Sequence, residues 1–287
     1  MDIKQVLLSR GFDRVIVLDG AACKVEAPVV LIALMTYQAE AEISKENVWI
    51  HPYYFASQRA YQAASSLVKE THGLALHDEL RVKPIFARLS CLSQGRNTLS
   101  YLSNVGSRFH VQIFTWQEAL PATDILEPDP HPLHCGDCRL CMEACPTKAI
   151  DESGFHRERC IRNWQFSGQP VPEPIRAKME NRLLGCDSCQ RCCPHNPAPK
   201  GAVSLEPFSL ADILSNPKAA AVRLKPVIGA NLAIPNRILG QACLLAGCEK
   251  QYELVPLLKT LRKHPSATVS AHAEWAMQQL EGDHTHA

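Results

Sequence analysis

Runs of apolar residues mark the strands in the first part of the chain. Residues 14–19 and 28–35 are rich in valine, isoleucine and leucine and have the length of a strand. Their continuous apolar character predicts strands that are buried on both faces. Residues 109–116 alternate between apolar and polar positions and predict a further strand. The pattern therefore indicates a small mixed α/β domain over residues 1–120.

The same part of the chain also contains segments that predict helices. Residues 3–10 predict a short helix that ends at Gly11. Residues 53–70 carry apolar side chains at helical spacing. That pattern consists of Tyr54, Ala60, Tyr61, Ala64 and Leu67. Residues 71–84 have no regular pattern, and Lys83 is expected to be extended because it precedes Pro84.

The rest of the chain divides into three consecutive segments. Residues 121–134 contain four prolines and predict an extended linker. Residues 135–200 hold most of the cysteines, with a short helix expected near residues 175–184. Residues 201–287 are predicted to be helical, with helices at 209–214, 237–246, 254–263 and 268–280. The hairpin at residues 254–280 resembles a HEAT-type repeat, which either covers the cysteine-rich domain or binds a partner.

The expected fold class is therefore α+β and multidomain. It combines a small mixed α/β domain, a ferredoxin-like middle domain and a C-terminal HEAT-like helical hairpin. Of the 287 residues, 46% are hydrophobic and 21% are charged, as in ordinary globular proteins. The formal net charge of +1 gives no overall attraction to nucleic acid.

Targeting signals are not evident in the sequence. The amino terminus lacks the apolar core of a signal sequence. The longest apolar run, residues 27–35, is far shorter than the ~20 residues that span a bilayer. Thirteen cysteines without an export signal predict a cytoplasmic protein with reduced thiols and no membrane partner.

Nine of the cysteines are concentrated in two groups around a single Cys160. The first group has the spacing C-x2-C-x2-C-x3-C-P, and its members are Cys135, Cys138, Cys141 and Cys145. The second group, which precedes Pro194, consists of Cys186, Cys189, Cys192 and Cys193. This spacing is typical of ferredoxins with two clusters, in which the fourth cysteine of a run binds the neighbouring cluster.

The spacing predicts two [4Fe–4S] clusters that each take ligands from both parts of the region. One set of ligands is Cys135, Cys138, Cys141 and Cys193. The other set is Cys145, Cys160, Cys186 and Cys189. Cys192 is an alternative to Cys193, but the proline after Cys193 matches Cys145-Pro146 and favours Cys193.

Zinc and disulfides are the alternative uses of these cysteines. A structural zinc site takes four ligands in two separated pairs. Three thiolates within seven residues, followed by a fourth before proline, suit a cubane instead. Disulfide frameworks are typical of secreted proteins. The unassigned thiols are predicted to be small buried side chains or spare thiols: Cys23, Cys91, Cys192, Cys243 and Cys248.

The cysteine motifs resemble those of a known family. The run CGDCRLCMEACPTKAI, followed by Cys160 and by GCDSCQRCCPHN, is similar to the ferredoxin domain of the epoxyqueuosine reductases. Members of that family are cobalamin-dependent and act on a modified base in tRNA. The order of an α/β domain, a double-cluster domain and a HEAT-like end is also similar. The resemblance implies cobalamin as a cofactor, tRNA as a partner, and a low-potential electron donor such as flavodoxin or ferredoxin.

A second segment extends the resemblance into the first domain. Residues 95–99 resemble the glycine-basic-Asn-Thr turn that approaches the corrinoid in that family. The resemblance implies cofactor-binding residues at Arg88, Gly95, Arg96, Asn97 and Thr98. The alternative is an ordinary turn. His51-Pro52-Tyr53-Tyr54 also resembles a segment near the corrinoid pocket, with helix packing as its alternative.

Two features depart from the family. Its catalytic aspartate belongs to an Asp-Thr-x-Pro segment, but the corresponding residues here are 81–84, with Arg81 at the aspartate position. The first domain is also shorter than in the enzymes that act on tRNA. The substrate is therefore either tRNA or another molecule, and the proton donor is unassigned. Candidate donors are Asp78 and Tyr53, beside His77 and Tyr54.

These observations predict an iron–sulfur oxidoreductase that passes electrons through two clusters to a cobalamin, which reduces a bound substrate. An electron-transfer protein that keeps the clusters and has lost corrinoid catalysis is the alternative, and the missing aspartate favours it. Binding of tRNA without turnover is a third alternative.

Overall fold

The computed structural model describes residues 2–38, 40–41, 48–131, 135–203 and 208–282. The chain forms two compact units. The first unit consists of Met1–Gln38, Phe55–Cys141 and Gln190–Pro199. The second consists of Ala39–Tyr54, Met142–Cys189 and Lys200–Ala287. Neither unit is continuous, whereas the segments expected from the sequence follow one another along the chain.

The helices are α1 (Ile3–Ser9), α2 (Pro52–Glu70), α3 (Val82–Phe86), α4 (Leu140–Ala144), α5 (Ile161–Ser167), α6 (Glu173–Arg176), α7 (Ser188–Arg191), α8 (Leu210–Ser215), α9 (Pro217–Ile228), α10 (Pro235–Cys248), α11 (Val255–Leu261) and α12 (Ala267–Glu281), with 3₁₀ turns at Arg157–Arg159 and Tyr252–Leu254. The strands are β1 (Arg14–Asp19), β2 (Val29–Thr36), β3 (Glu40–Ala41), β4 (Trp49–Ile50), β5 (Leu74–Leu76), β6 (Leu92–Gln94), β7 (Ser100–Leu102), β8 (Phe109–Trp116), β9 (Ile150–Asp151), β10 (Gly154–Phe155), β11 (Arg182–Leu184) and β12 (Ala202–Val203). The mixture of helices and strands that the sequence predicts is confirmed.

A four-stranded antiparallel sheet forms the centre of the first unit. Its strand order is β1-β2-β8-β5, so that β2 lies between two partners. The first seven residues of β2 are buried, as a continuous apolar run predicts. One face of the sheet packs against α1 and α2, and the other against α3 and the β6–β7 hairpin. The predicted strands at residues 14–19, 28–35 and 109–116 are confirmed.

Two details of the first unit differ from the sequence pattern. Tyr61 lies on the outer side of α2 with 57% of its surface exposed, so it is not part of the buried stripe. Lys83 was predicted to be extended but is helical, because α3 begins at Val82 and Pro84 stands in its first turn. A proline is tolerated there, since the first-turn N–H groups have no helical partner.

Strands β5 and β11 are short and were not predicted from the sequence. Leu74–Leu76 pairs with β8 in a segment that was expected to be irregular. Arg182–Leu184 pairs with β4, although a helix was predicted at residues 175–184; only α6, Glu173–Arg176, is helical in that region. The pairing partner of β11 is more than 130 residues away, so no local pattern marks it.

Five helices form the last part of the second unit. Helix α10 is buried along most of its length and packs against α8, α9 and α12. The helices predicted near residues 209–214, 237–246, 254–263 and 268–280 are confirmed, and α9 was missed. Ser266 occupies the N-cap position of α12 without a side-chain capping bond. The HEAT-like assignment of the α11–α12 hairpin stays a prediction.

The spare thiols fall into two groups. Cys23 and Cys243 are buried, and burial raises the pKa of Cys243 to about 12. Cys91, Cys192 and Cys248 are half-buried. Among the residues described, no helix combines the length and the apolar character needed to cross a membrane. Pro132, Leu133 and His134, at the end of the predicted linker, lie outside the described residues.

A buried histidine joins α12 to two other parts of the second unit. The N–H of Val171 donates to His272 Nε2 at 2.9 Å, so Nδ1 carries the proton and donates to the Gly240 carbonyl at 2.9 Å. Burial lowers the pKa of His272 from 6.5 to about 4, and the nearby Arg176 contributes in the same direction. The neutral imidazole is thus the form that the fold accommodates.

We expect the second unit to lose stability as the pH falls from about 6.5 to about 4. The unfolded His272 takes up a proton in this range while the folded one does not, so acid favours unfolding. Between pH 7 and pH 5 the contribution is about 2 kcal/mol. The free energy of unfolding in urea, measured at both pH values, tests this. His272→Gln should have a shallower pH dependence, and an unchanged dependence would contradict the expectation.

Candidate functional site

Four of the predicted cluster ligands lie together in the first unit. Cys135, Cys138, Cys141 and Cys193 line a common space together with Asn97, Tyr101, Leu140, Pro194 and His195. A tight turn joins the first two thiols, with the N–H of Cys138 donating to the Cys135 carbonyl at 3.0 Å. Gly136 within it has a φ of +49°, and open space surrounds the place of a Cβ.

Electrostatic effects on Cys141 support this grouping. Burial, and to a smaller extent the thiolates of Cys192, Cys135, Cys138 and Cys193, raise its pKa to about 11. Such effects require short separations between the sulfur atoms. Cys192 therefore lies close to the same group, and both adjacent cysteines stay candidates for the fourth ligand.

The four ligands predicted for the other cluster all belong to the second unit. They are Cys145, Cys160, Cys186 and Cys189. Burial raises the pKa of Cys160, and the thiolates of Cys186 and Cys145 contribute. Cys145 accepts a hydrogen bond from the Ala149 N–H at 3.2 Å. The hydroxyls of Thr147 and Ser188 lie 3.7 and 3.6 Å from the sulfurs of Cys145 and Cys186.

The geometry of a single metal ion is different from that of a cluster. No group of three or more His, Cys, Asp or Glu side chains is arranged around one ion among the described residues. In a cubane each cysteinate binds a different iron, so the sulfur atoms need not converge on one point. The ligand sets of the two clusters stay a prediction at the level of individual cysteines.

The segment that carries Cys193 is held in the first unit by an amide network. Asn196 Oδ1 accepts from the Ser107 N–H at 2.7 Å, and its Nδ2 donates to the Gln190 carbonyl at 2.7 Å. Gln190 Nε2 donates to the Ser107 carbonyl at 3.1 Å. Arg108 Nη1 donates to the Pro197 carbonyl at 3.0 Å. These bonds hold Cys193 in the first unit, where it borders the same space as Cys135, Cys138 and Cys141.

The predicted corrinoid turn contacts the cluster ligands directly. The N–H of Arg96 donates to the sulfur of Cys135 at 3.2 Å, and Arg96 Nη2 donates to the Gly136 carbonyl at 3.1 Å. Gly95 is required because a Cβ there would stand 2.6 Å from the ring of Tyr101. Thr98 has a φ of +61° in the same turn.

The other predicted cofactor residues also bond to protein atoms. Asn97 is buried and donates to the hydroxyl of Tyr101 at 2.8 Å. Lys83 Nζ donates to Thr98 Oγ1 at 3.4 Å. Arg88 donates through Nε to the Glu127 carbonyl. The turn therefore supports the cysteine loop, and its corrinoid contacts stay a prediction.

Tyr101 is a site residue that the sequence did not reveal. Burial raises its pKa above the ordinary value for a tyrosine, and the nearby Cys193 acts in the same direction. Asn97, which donates to the phenol oxygen, has the opposite effect, as does Ser107. The only available signal was its position in a short apolar strand that follows the glycine turn.

An open cavity of about 420 Å³ lies in the same unit. It is lined by Ser90, Cys91, Leu92, Ser93, Tyr101, Leu102, Ser103, Asn104 and His195. Tyr101 and His195 also line the space beside the cysteines, so the cavity and that space share these two side chains. The lining is rich in hydroxyl and amide groups.

The candidate proton donors occupy different environments. Asp78 is exposed and belongs to the first unit. Tyr53 is half-buried in the second unit, where the guanidinium of Arg162 lies 4.8 Å from its ring centroid and 5.7 Å from that of Tyr54. Burial raises the pKa of Tyr54 to about 12. Arg81 is exposed at the N-cap of α3 and makes no side-chain capping bond.

A protein-family model, the 4Fe-4S double cluster binding domain, matches residues 134–196. Among curated proteins, an epoxyqueuosine reductase of Alicycliphilus denitrificans is 31% identical over 206 residues, which cover 65% of this chain and 55% of that protein. The epoxyqueuosine reductase of Pseudomonas aeruginosa is 29% identical over 200 residues, covering 64% of this chain and 53% of its own length. The chain thus spans about half the length of these relatives.

Solved structures resemble the chain over nearly its whole length. The epoxyqueuosine reductase of Streptococcus thermophilus has a TM-score of 0.74 at 16% identity and covers 98% of this chain and 91% of its own. An epoxyqueuosine reductase with an epoxyqueuosine-modified tRNA-Tyr stem loop has a TM-score of 0.72 at 18% identity, covering 96% and 88%. At such identities the similarity shows a shared fold.

The matching domain defines the chain as an iron–sulfur protein with two [4Fe–4S] clusters, as the cysteine spacing predicts. In sequence and in fold it is similar to the epoxyqueuosine reductases, and the resemblance seen in its motifs is confirmed.

We expect Cys193→Ala to lose one cluster and Cys192→Ala to keep both. Removing a ligand leaves an incomplete cubane, whereas removing a spare thiol does not. Iron analysis after anaerobic purification should give about four iron atoms per chain for the first variant and about eight for the second. The reverse result would assign the fourth ligand to Cys192.

Gly185, directly before Cys186, should be intolerant of a side chain. Its φ is +92°, and a Cβ there would overlap the Cβ of His51 and lie 3.0 Å from the ring of Tyr54. Gly201 is the matched control, because its φ is +100° and open space surrounds it. Gly185→Ala should lower the free energy of unfolding by about 2 kcal/mol more than Gly201→Ala. Equal losses in urea unfolding would contradict the steric argument.

Proposed function

We propose that the chain is an iron–sulfur reductase that uses cobalamin and passes electrons to it through its two [4Fe–4S] clusters. The observation that carries the proposal is the cavity whose wall, formed by Tyr101 and His195, also borders the cysteines of the first unit. A cofactor that exchanges electrons with a cluster has to bind next to it. The similarity to the epoxyqueuosine reductases supports the same reaction class.

The ligands of the two clusters are the cysteine sets predicted from the sequence. The two groups of mutually interacting thiols support this assignment: one centres on Cys141 and the other on Cys160. Each unit would then hold one cluster. Cluster potentials in proteins reach about −700 mV, and a cluster of such low potential accepts electrons only from a strong reductant. The electrons would therefore come from a low-potential donor such as flavodoxin or ferredoxin.

The cavity fits part of a corrinoid by the chemistry of its lining. A corrin ring carries amide side chains, and Ser90, Ser93, Ser103 and Asn104 offer hydroxyl and amide partners. A whole cobalamin is larger than the cavity, which would hold one edge of it. Bound cobalamin would supply a strongly reducing cobalt centre. This chain's residues would position it and exclude water from the wall beside the cysteines.

The substrate is proposed to be a base of the epoxyqueuosine type in tRNA. Support comes from the solved epoxyqueuosine reductase with a modified tRNA stem loop, whose fold this chain shares. A net charge of +1 adds no general attraction to RNA, so binding would depend on local contacts. The proton donor is unassigned among Asp78, Tyr53, His77 and Tyr54.

An electron-transfer protein without corrinoid chemistry is the second candidate. The observation that favours it is Arg81, which stands where the family has its catalytic aspartate. Arg81 is exposed, and its neighbour Lys83 donates to Thr98 in the turn. Neither side chain offers the carboxyl group that an aspartate at this position supplies.

Cobalamin binding to the cluster-loaded protein separates the two candidates. After anaerobic purification and reduction with dithionite, the protein should bind about one cobalt per chain in equilibrium dialysis and change the corrinoid absorption spectrum. Ser103→Trp should weaken binding about tenfold or more by filling the cavity. Ser66→Trp, at an exposed position of α2, is the matched control and should bind normally. Full iron content without cobalt binding would leave only the electron-transfer candidate.

A further inference from the structure

Arg96 lies in the turn that joins strands β6 and β7, and its backbone contacts a predicted cluster ligand. The Thr98 N–H donates to the Gly95 carbonyl at 2.9 Å, which closes a tight turn with Arg96 at its second position. The N–H at that position takes no part in the bond that closes such a turn, so it is available to another acceptor. It donates to the sulfur of Cys135 at 3.2 Å.

The side chain of Arg96 is anchored beside the same cysteine. Its terminal Nη2 donates to the carbonyl of Gly136, the residue after Cys135, at 3.1 Å. Arg96 therefore contacts the cysteine loop twice, through its backbone and through the far end of its side chain. Because a guanidinium group is planar, the bond at Nη2 also restricts the direction in which the Nε–H points.

The Nε–H of Arg96 is a buried donor that the protein leaves unpaired. Among the residues that the structure describes, the buried Nε atom has no hydrogen-bond partner. Burying a charged donor without a partner is unfavourable, and native proteins rarely do so. The donor therefore points to an acceptor that the folded chain itself does not supply.

The position of this donor favours an acceptor that the cysteines bind. Cys135 borders a space that it shares with Cys138, Cys141 and Cys193, the other predicted ligands of the same cluster, here called the first-unit cluster. Both contacts of Arg96 are with the loop that begins at Cys135. A [4Fe–4S] cluster brings sulfur atoms that accept hydrogen bonds and carry negative charge. A buried water molecule is the alternative acceptor.

We propose that Arg96 donates a hydrogen bond from Nε to a sulfur of the first-unit cluster and thereby raises the reduction potential of that cluster. The family resemblance implied a contact between Arg96 and the corrinoid, whereas the observed bonds direct the side chain to the cysteine loop. The inference rests on the assignment of Cys135 as a ligand in the proposed function. It does not depend on cobalamin, because the potential is measured without it.

The direction of the effect follows from charge. Reduction adds one electron to the cluster, with dithionite as the donor in the experiment, and breaks no bond. The reduced cluster carries one more negative charge than the oxidised cluster. A hydrogen bond from a positively charged group therefore stabilises the reduced state more than the oxidised state. Removing the guanidinium group should lower the reduction potential.

The experiment is a redox titration of Arg96→Met, followed by electron paramagnetic resonance of the reduced clusters without cobalamin. Methionine is also long and unbranched and keeps the backbone N–H, but it has neither a side-chain donor nor a charge. At a fixed solution potential the ratio of reduced to oxidised first-unit cluster should fall about tenfold, which for one electron corresponds to about 59 mV. Cys189→Ala, which removes a predicted ligand from the second unit, identifies which signal belongs to which cluster.

Two further variants separate the hydrogen bond from the charge. Arg96→Lys keeps the charge and loses the planar Nε–H donor, so the ratio should fall by less, about threefold. Arg10→Met is the matched control and should leave the ratio unchanged. Arg10 pairs with Glu70 at the ends of α1 and α2, which pack on the face of the sheet opposite to the β6–β7 hairpin.

A spectroscopic signature tests the bond itself. In protein labelled with ¹⁵N in its arginine side chains, pulsed resonance should detect nitrogen coupled to the reduced first-unit cluster. Arg96→Met should lose this coupling. If Nε donates to water instead, the wild type shows no such coupling, and the proposal is overturned.

The remaining outcomes distinguish this inference from the assignment beneath it. A ratio for Arg96→Met equal to that for Arg10→Met overturns the proposal. If Arg96→Met loads no first-unit cluster, the shift in Arg96→Lys decides. Iron analysis of Cys135→Ala tests the ligand assignment by itself, with about four iron atoms per chain expected and about eight contradicting both the assignment and the inference. Failure of cobalamin binding would leave all of these outcomes intact.

Discussion

The segment Gln190–Pro199 is held in the first unit by hydrogen bonds, and the side chain of Asn196 makes the shortest of them. Its amide accepts from the Ser107 N–H and donates to the Gln190 carbonyl, both at 2.7 Å. Gly106 has a φ of +71°, and a Cβ there would overlap the Asn196 amide. Since Cys193 lies three residues before Asn196, the same amide places a thiol beside those of Cys135 and Cys141. This contact therefore helps to form the cluster site predicted in the first unit.

The two cluster sites differ in the groups that surround their sulfur atoms. In the first unit a hairpin turn supplies a hydrogen-bond donor, the Arg96 N–H, to the sulfur of Cys135. In the second unit the donors are local to each cysteine, as with the Ala149 N–H and the Cys145 sulfur. Arg162, stacked against Tyr53, adds a positive charge near Cys160. The reduction potential of a cluster responds to such donors and charges. The reduction potentials at the two predicted sites are therefore affected by different groups.

The sequence predicted the elements that local chemistry determines. Cysteine spacing reflects the reach of a short loop around a cubane, so it indicated the clusters before any fold was known. The strands Arg14–Asp19 and Phe109–Trp116 were predicted because their burial imposes an apolar pattern. Arg182–Leu184 could not be predicted, since it is a strand only through pairing with Trp49–Ile50. Tyr101 was missed for the same reason, because it borders the space lined by Cys193 only once residues far apart in the chain have folded together.

The interleaved order of the two units bears on how the protein is made. The first unit takes in residues as late as Pro199, and the second begins at Ala39, so neither can be completed by an emerging N-terminal portion alone. A ribosome adds about 5–20 residues per second, so the early cysteines wait several seconds for Cys193 to be synthesised. Iron and sulfide delivered before that moment would meet an incomplete set of thiols. With the proposed ligand set, the first cluster is completed only after Cys193 has been synthesised. Excision of either unit as a continuous fragment would remove part of its own structure.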